Sequence, residues 1–138
     1  MGRVMTTAKL TNLFDDMKQR GGLIGPDDVR SIEIELLVDT GATFLSLPQN
    51  MIDELGLTKT SEKTVITANG QVTRSMYDAV RLVIMDRDAT IPVMDVPSGI
   101  PPLLGYVPLE MLDLVPNPKS QRLEGNPDHD GEYILDQL

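Results

Sequence analysis

The 138-residue chain contains no cysteine and no tryptophan, and aromatics make up only 4% of it. Without cysteine there can be no disulfide, no thiolate metal site and no cysteine nucleophile, and the absence fits a cytoplasmic protein. With few aromatics, the core must be assembled from Leu, Val, Ile and Met, and eight methionines add adaptable packing. Positive charge is also short. Twelve Lys and Arg stand against 21 Asp and Glu, a net charge of −9, which argues against nucleic acid or an anionic membrane as partner. No long apolar run exists. Met1 to Leu10 lacks the apolar stretch of a signal peptide, and no segment approaches the ~20 apolar residues of a membrane span. A soluble, cytoplasmic protein is expected. There is no Gly-x-Ser-x-Gly elbow for a serine nucleophile. The aspartates do not fall at the spacing of a calcium loop. His129, the one histidine, lies between Asp128 and Asp130 and reads as part of a solvated loop, not a metal site.

What remains is an ordinary globular composition, 41% apolar, in a length that fits one domain able to bury a core unaided. Ile32, Ile34 and Leu36 alternate with Glu33 and Glu35, the period of a half-buried strand over Ser31 to Val38. The alternation stops at Leu36-Leu37-Val38, and the next residue is Asp39. A carboxylate delivered by three apolar residues is costly to bury without partners, which marks Asp39 as a candidate for chemistry. Thr40 offers a hydroxyl, Gly41 allows a tight turn with its N–H aimed at the carboxylate, and Ala42 leaves room for another chain.

Elsewhere the pattern is of short strands and turns. A strand is expected around Ala8 to Asn12, a helical turn at Phe14 to Gln19, and a loop at Gly21 to Asp28. Pro48 suits the first position of a helix over Gln49 to Leu57, ending near Gly56. Asn69-Gly70 is a strong hairpin signal for a type I′ turn, between strands Thr64 to Thr67 and Val72 to Tyr77. Further strands are expected at Ala79 to Met85 and Thr90 to Val96, joined by a turn at Asp86-Arg87-Asp88. A second helix is expected over Pro108 to Leu114, stopped by Pro116-Asn117-Pro118. Ser120 to Leu123 reads as a strand, and Glu132 to Leu138 as either a disordered tail or an edge strand. The whole predicts a mostly β fold with one or two short helices.

Hydrolysis by carboxylates alone needs two of them sharing one proton, because like charges ~3 Å apart cannot both ionise. One then accepts a proton from water while the other donates to the scissile carbonyl. The chain holds a single Asp-Thr-Gly. A second carboxylate must therefore come from a second copy of Asp39 across a two-fold axis.

The run Leu36-Leu37-Val38-Asp39-Thr40-Gly41-Ala42-Thr43 resembles the active-site loop of the retropepsins, the homodimeric aspartic peptidases of retroviruses. The hairpin at Asn69-Gly70, the segment Leu103-Leu104-Gly105 and the helix after it follow in the order this resemblance requires. More narrowly, the chain resembles the prokaryotic retropepsin-like proteins of clan AA. The likeness implies a closed small β-barrel with a flap hairpin in one domain over residues 1–138. Its core would span about 31–123, with 1–30 an N-terminal strand plus loop insert and 124–138 a C-terminal extension. It implies that Asp39 is the catalytic acid and base, and that Thr40, Gly41 and Ala42 complete the active-site loop, Thr40 linking the loops of two subunits. Ala68, Asn69 and Gly70 would form the flap tip, and Leu103, Leu104 and Gly105 would support the loop. The chemistry implied is that of a homodimeric aspartic endopeptidase acting on a peptide or protein, with no cofactor and no metal. Two alternatives stand beside it: a dimeric peptide-binding or dimerisation module on the same fold with little or no proteolytic activity, and a domain that trims its own terminus. The chain departs from the viral pattern in a less glycine-rich tip, Ala68-Asn69-Gly70-Gln71. Tyr106 stands where the viral proteins have Arg, and the insert between Leu13 and Arg30 and the C-terminal extension have no viral counterpart.

Overall fold

In the computed structural model, which describes residues 3–137, the chain begins with strand β1 (Met5–Asn12) and turns at once into helix α1 (Leu13–Arg20). Asn12 makes that junction. Its side-chain oxygen accepts from the Asp15 amide at 3.1 Å, capping the helix, and its Nδ2 donates to the Leu55 carbonyl at 2.9 Å. The insert after α1 is tied back by Arg30, whose Nε and Nη2 donate to the two oxygens of the buried Asp15 at 2.8 and 3.0 Å.

β2 (Ser31–Val38) matches the expected span, and its alternation is that of burial: Ser31, Glu33 and Glu35 exposed, Leu36 fully buried. It pairs antiparallel with β1 over Met5↔Leu37 to Thr11↔Ser31. β3 (Leu45–Pro48) runs into helix α2 (Gln49–Leu55). Pro48 flanks this helix as its N-cap instead of occupying its first turn.

β4 (Lys59–Thr67) and β5 (Gly70–Ile84) form the expected hairpin, but β5 runs unbroken for 15 residues where two strands were expected. The polar interruption at Asp78-Ala79 is a register shift between Tyr77 and Val80, not a turn. The connection Met85-Asp86 then leads to β6 (Arg87–Val96). Both its residues have positive φ, 53° and 64°, the type I′ geometry, in a pair that carries no glycine. Asn69 does not have positive φ. At the other tip the loop is Ala68-Asn69 and only Gly70, at φ 102°, is left-handed, so the turn there is not the expected type I′.

β7 is two residues, Leu103–Leu104, and α3 (Tyr106–Leu112) begins two residues before its expected start. β8 (Leu114–Asn117) and β9 (Arg122–Gly125) form a separate small hairpin.

The fold is mostly β. The main sheet runs β1-β2-β7-β3-β6-β5-β4, and β5 pairs also with β1 over Lys9↔Val83 to Asn12↔Val80. Six strands thus form a ring, with β4 attached outside it. The ring encloses Leu10, Leu36, Leu45, Leu47, Leu82 and Leu104, with α2 adding Ile52 and Leu55, all without exposed surface. Tyr77 is the one aromatic among the buried core residues. Among the described residues no helix is long and apolar enough to cross a membrane.

Candidate active site

The Asp39 loop leaves the ring between two strands that share a neighbour. β7 pairs in parallel with the end of β2 (Leu37↔Leu103, Val38↔Leu104) and antiparallel with the start of β3 (Leu45↔Leu104, Ser46↔Leu103). The strand entering the loop and the strand leaving it are therefore held by the same two leucines. This gives residues 39–44 a rigid base although half of them are exposed.

Backbone bonds fix the loop residue by residue. The Val38 amide donates to the Val4 carbonyl at 2.8 Å and the Asp39 amide to the Leu104 carbonyl at 2.9 Å. The Ala42 amide closes a turn onto the Asp39 carbonyl at 3.0 Å. On the far side the amides of Gly105, Tyr106 and Val107 donate to the carbonyls of Phe44, Ala42 and Thr43, at 3.0, 2.9 and 3.0 Å. Helix α3 thus starts against the carbonyls of the loop. Gly105 is buried there, and a Cβ on it would lie 2.5 Å from the Phe44 oxygen and 2.6 Å from the Ala42 oxygen. Only glycine fits this approach.

The Asp39 carboxylate is half-buried, and its Oδ1 accepts from the Gly41 amide at 2.9 Å. Among the described residues this is the one hydrogen bond the carboxylate receives, so Oδ2 is open to another group. A Cβ at position 41 would come within 3.2 Å of Oδ1, so the small residue lets the amide reach the oxygen. Thr40, Gly41 and Thr43 are exposed and Ala42 is half-buried. The arrangement can hold one carboxylate in a fixed direction at the molecular surface. Catalysis of the paired kind needs a second.

Ala68, Asn69 and Gly70 lie at the exposed end of the β4–β5 hairpin. Among the described residues no hydrogen bond joins this tip to the Asp39 loop. Among the described residues the hairpin is tied down only at its root. There the Ser75 amide donates to Asp95 Oδ1 at 2.9 Å, Tyr77 Oη donates to Gln49 Oε1 at 3.1 Å, and the Asp78 amide donates to the Thr58 carbonyl at 2.9 Å. Beyond Ser75, among the described residues, the hydrogen bonds of the ribbon are those within the hairpin. The structure therefore assembles Asp39 to Ala42 with Leu103 to Gly105 and leaves Ala68 to Gly70 apart. Sequence reading missed the carbonyls of Val4 and Phe44, which hold the loop through backbone alone and leave no trace in residue type. It also took His129 for a solvated loop residue, whereas the side chain is largely buried against Asp113, at 2.6 Å.

A family model described as aspartyl protease matches residues 26–107, more than half of the chain. That span includes the Asp39 loop, the β4–β5 hairpin and the whole of Leu103 to Gly105. The chain belongs to this retropepsin-like family of aspartyl proteases. No curated protein matches it.

Proposed function

We propose that this member of the aspartyl protease family is half of an aspartic endopeptidase, active as a homodimer in which two Asp39 carboxylates activate one water. The observation that carries the reading is the Asp39 carboxylate itself, with one oxygen oriented by the Gly41 amide and the other left open, in a chain with a single Asp-Thr-Gly. A dimer axis close to Gly41 would bring the two open oxygens together. Thr40, exposed at the same edge, would reach the partner's loop. The domain would comprise residues 1–138, with its core over 31–123. The Ala68 to Gly70 tip would close over an extended peptide, since a ribbon held at its root can bend beyond that root.

Within such a pair the protonated carboxyl donates to the scissile carbonyl and the ionised one takes a proton from water. The two titrate as one coupled system, so the roles interchange. Side chains next to the cut are expected to be apolar.

The test is cleavage of a mixed peptide library between about pH 4 and about pH 7, with Asp39→Asn alongside and the association state followed by sedimentation. Wild type should cut and the variant should not, and specific activity should fall on dilution as dimers dissociate. Cleavage by both proteins, or by neither, would overturn the assignment of Asp39. A dimer that binds peptides without cutting them is the binding-module reading.

A further inference from the structure

Asp113 ends helix α3 in the left-handed region, with φ 54°, and its side chain is 8% exposed. Its carboxylate accepts three hydrogen bonds, all from the C-terminal segment. Asn126 Nδ2 donates to Oδ1 at 3.1 Å, while His129 Nδ1 and the Ile134 amide meet Oδ2 at 2.6 and 3.3 Å. The Asp113 carbonyl accepts a fourth bond from the Asn126 amide, at 3.1 Å. A second anchor stands beside it. Arg87 Nη1 donates to the carbonyls of Leu112 and Asp113 at 3.0 and 2.7 Å, which fixes the guanidinium on α3 whatever the tail does. Its Nη2 donates to the Gly131 carbonyl at 2.6 Å, and its guanidinium carbon lies 5.1 Å from the centre of the Tyr133 ring.

Residues 132–137 form neither helix nor strand and are exposed. They are therefore held by side-chain anchors and not by a ladder. A cavity of about 200 Å³ lies between them and the main body, lined by Leu109, Leu114, Val115 and Ile134 among others. A third attachment is the Tyr133 hydroxyl, which donates to the carbonyls of Asp88 and Met111 at 3.2 and 3.1 Å. A segment held by such separate polar points over an incompletely filled cavity can detach without unfolding what it covers.

We propose that residues 126–137 are a detachable strap whose grip is set by the proton on His129: fastened while the imidazolium faces Asp113, loosened once the ring is neutral.

The charges around His129 favour this. Asp113 faces it from the α3 end and Asp128 and Asp136 from the tail itself, while Glu110 of α3 lines the same cavity. Arg87, the cation at the same anchor, is engaged with carbonyls and the Tyr133 ring. The hydrogen bond to Asp113 holds the imidazole above its ordinary range against the opposing effect of burial. The same bond holds the Asp113 carboxyl below its ordinary range. A raised imidazole contributes its grip in full below its ordinary value, about 6.5, and loses it as pH climbs through the raised one. A lowered carboxyl contributes above about 3.9 and fails as pH drops through its lowered value. The strap is thus tightest in the mildly acid window between the two.

Backbone heteronuclear NOEs of residues 131–136, measured on the full chain at about pH 5.5 and about pH 8.5, test this directly, with the ring strands as internal control. In wild type the tail should be as rigid as the ring at the lower pH and clearly more mobile at the higher, with the ring unchanged. His129→Gln should remove that contrast, and Asp113→Asn should leave the tail mobile at both. Equal NOEs for wild type at the two pH values, or an undiminished contrast in His129→Gln, would overturn the proposal. Should Asp113→Asn not fold, His129→Gln still decides. No peptidase activity enters the readout, so the outcome is independent of the function of Asp39.

Discussion

Gly105 donates its amide to the Phe44 carbonyl at 3.0 Å, and a methyl group on its Cα would lie 2.5 Å from that same oxygen. The pair locks the start of α3 to the end of the Asp39 loop. Gly105→Ala must push the loop or the helix away. A loss of about 1–3 kcal/mol is expected from the overpacking, read by urea denaturation, and peptide cleavage should fall with it because the Asp39 direction shifts. Unchanged stability would mean that the loop yields freely.

Asp39→Asn keeps the size of the side chain and its acceptor for the Gly41 amide. Stability should change by less than about 1 kcal/mol, since one hydrogen bond loses only its charge assistance. Cleavage of peptides should drop by at least about a hundredfold, the scale of a lost general acid or base. Under the proposed pairing, mixing wild type with an excess of the variant should also silence wild type, because each mixed dimer would carry one carboxylate.

Asp15 is 4% exposed and receives Arg30 through three bonds, from the backbone amide at 3.0 Å, Nε at 2.8 Å and Nη2 at 3.0 Å. The guanidinium bond holds its carboxyl below the ordinary range, and burial opposes this less strongly. A lowered carboxyl stabilises the fold above its ordinary value, about 3.9, and loses that contribution as pH falls through the lowered one. The wild-type melting temperature should therefore fall steeply below about pH 4. Asp15→Asn should be less stable at neutral pH by about 1.5–3 kcal/mol and should show a shallower acid slope. The check is calorimetry from about pH 2.5 to about pH 7.

Met85 sits in a two-residue turn at φ 53° and is 56% exposed. Left-handed backbone costs a non-glycine residue roughly 1–2 kcal/mol, and no burial offsets it here. Met85→Gly or Met85→Asn should stabilise the fold by about 1 kcal/mol, seen as a raised melting temperature with activity unchanged.

The Asp39 loop of the candidate site was legible in the sequence as a local feature, strand and loop being contiguous. Ser31 to Leu36 alternates strictly, Leu37 and Val38 extend the strand, and Asp39 to Ala42 follows it without a gap, so the strand predicts the loop. The β4–β5 hairpin was legible as a pair of strands, but its turn was not. Asn69-Gly70 matches the favoured dipeptide, yet Gly70 takes the position after the turn, and the primed geometry falls on Met85-Asp86. There the strands dictate the turn against residue preference. Asp78-Ala79 reads as a break because two small or polar residues interrupt an apolar pattern, and only the pairing with β6 on one side shows it to be an irregularity within β5. The C-terminal anchors were invisible for a different reason. Arg87 and Asp113 meet partners 13 to 46 residues away, by side-chain contacts that leave no period.

β5 passes from the tip of the hairpin into the ring without a glycine between Gln71 and Ile84. The hairpin consequently has no swivel. Its stem is clamped by Tyr77 to Gln49 and by Ser75 to Asp95, and past Tyr77 the same strand becomes a wall of the molecule. Lifting the tip must flex that strand as a cantilever, with its elasticity supplied by backbone hydrogen bonds in the ring. Stiffening the wall, even at a site far from Asp39, should therefore slow the lifting.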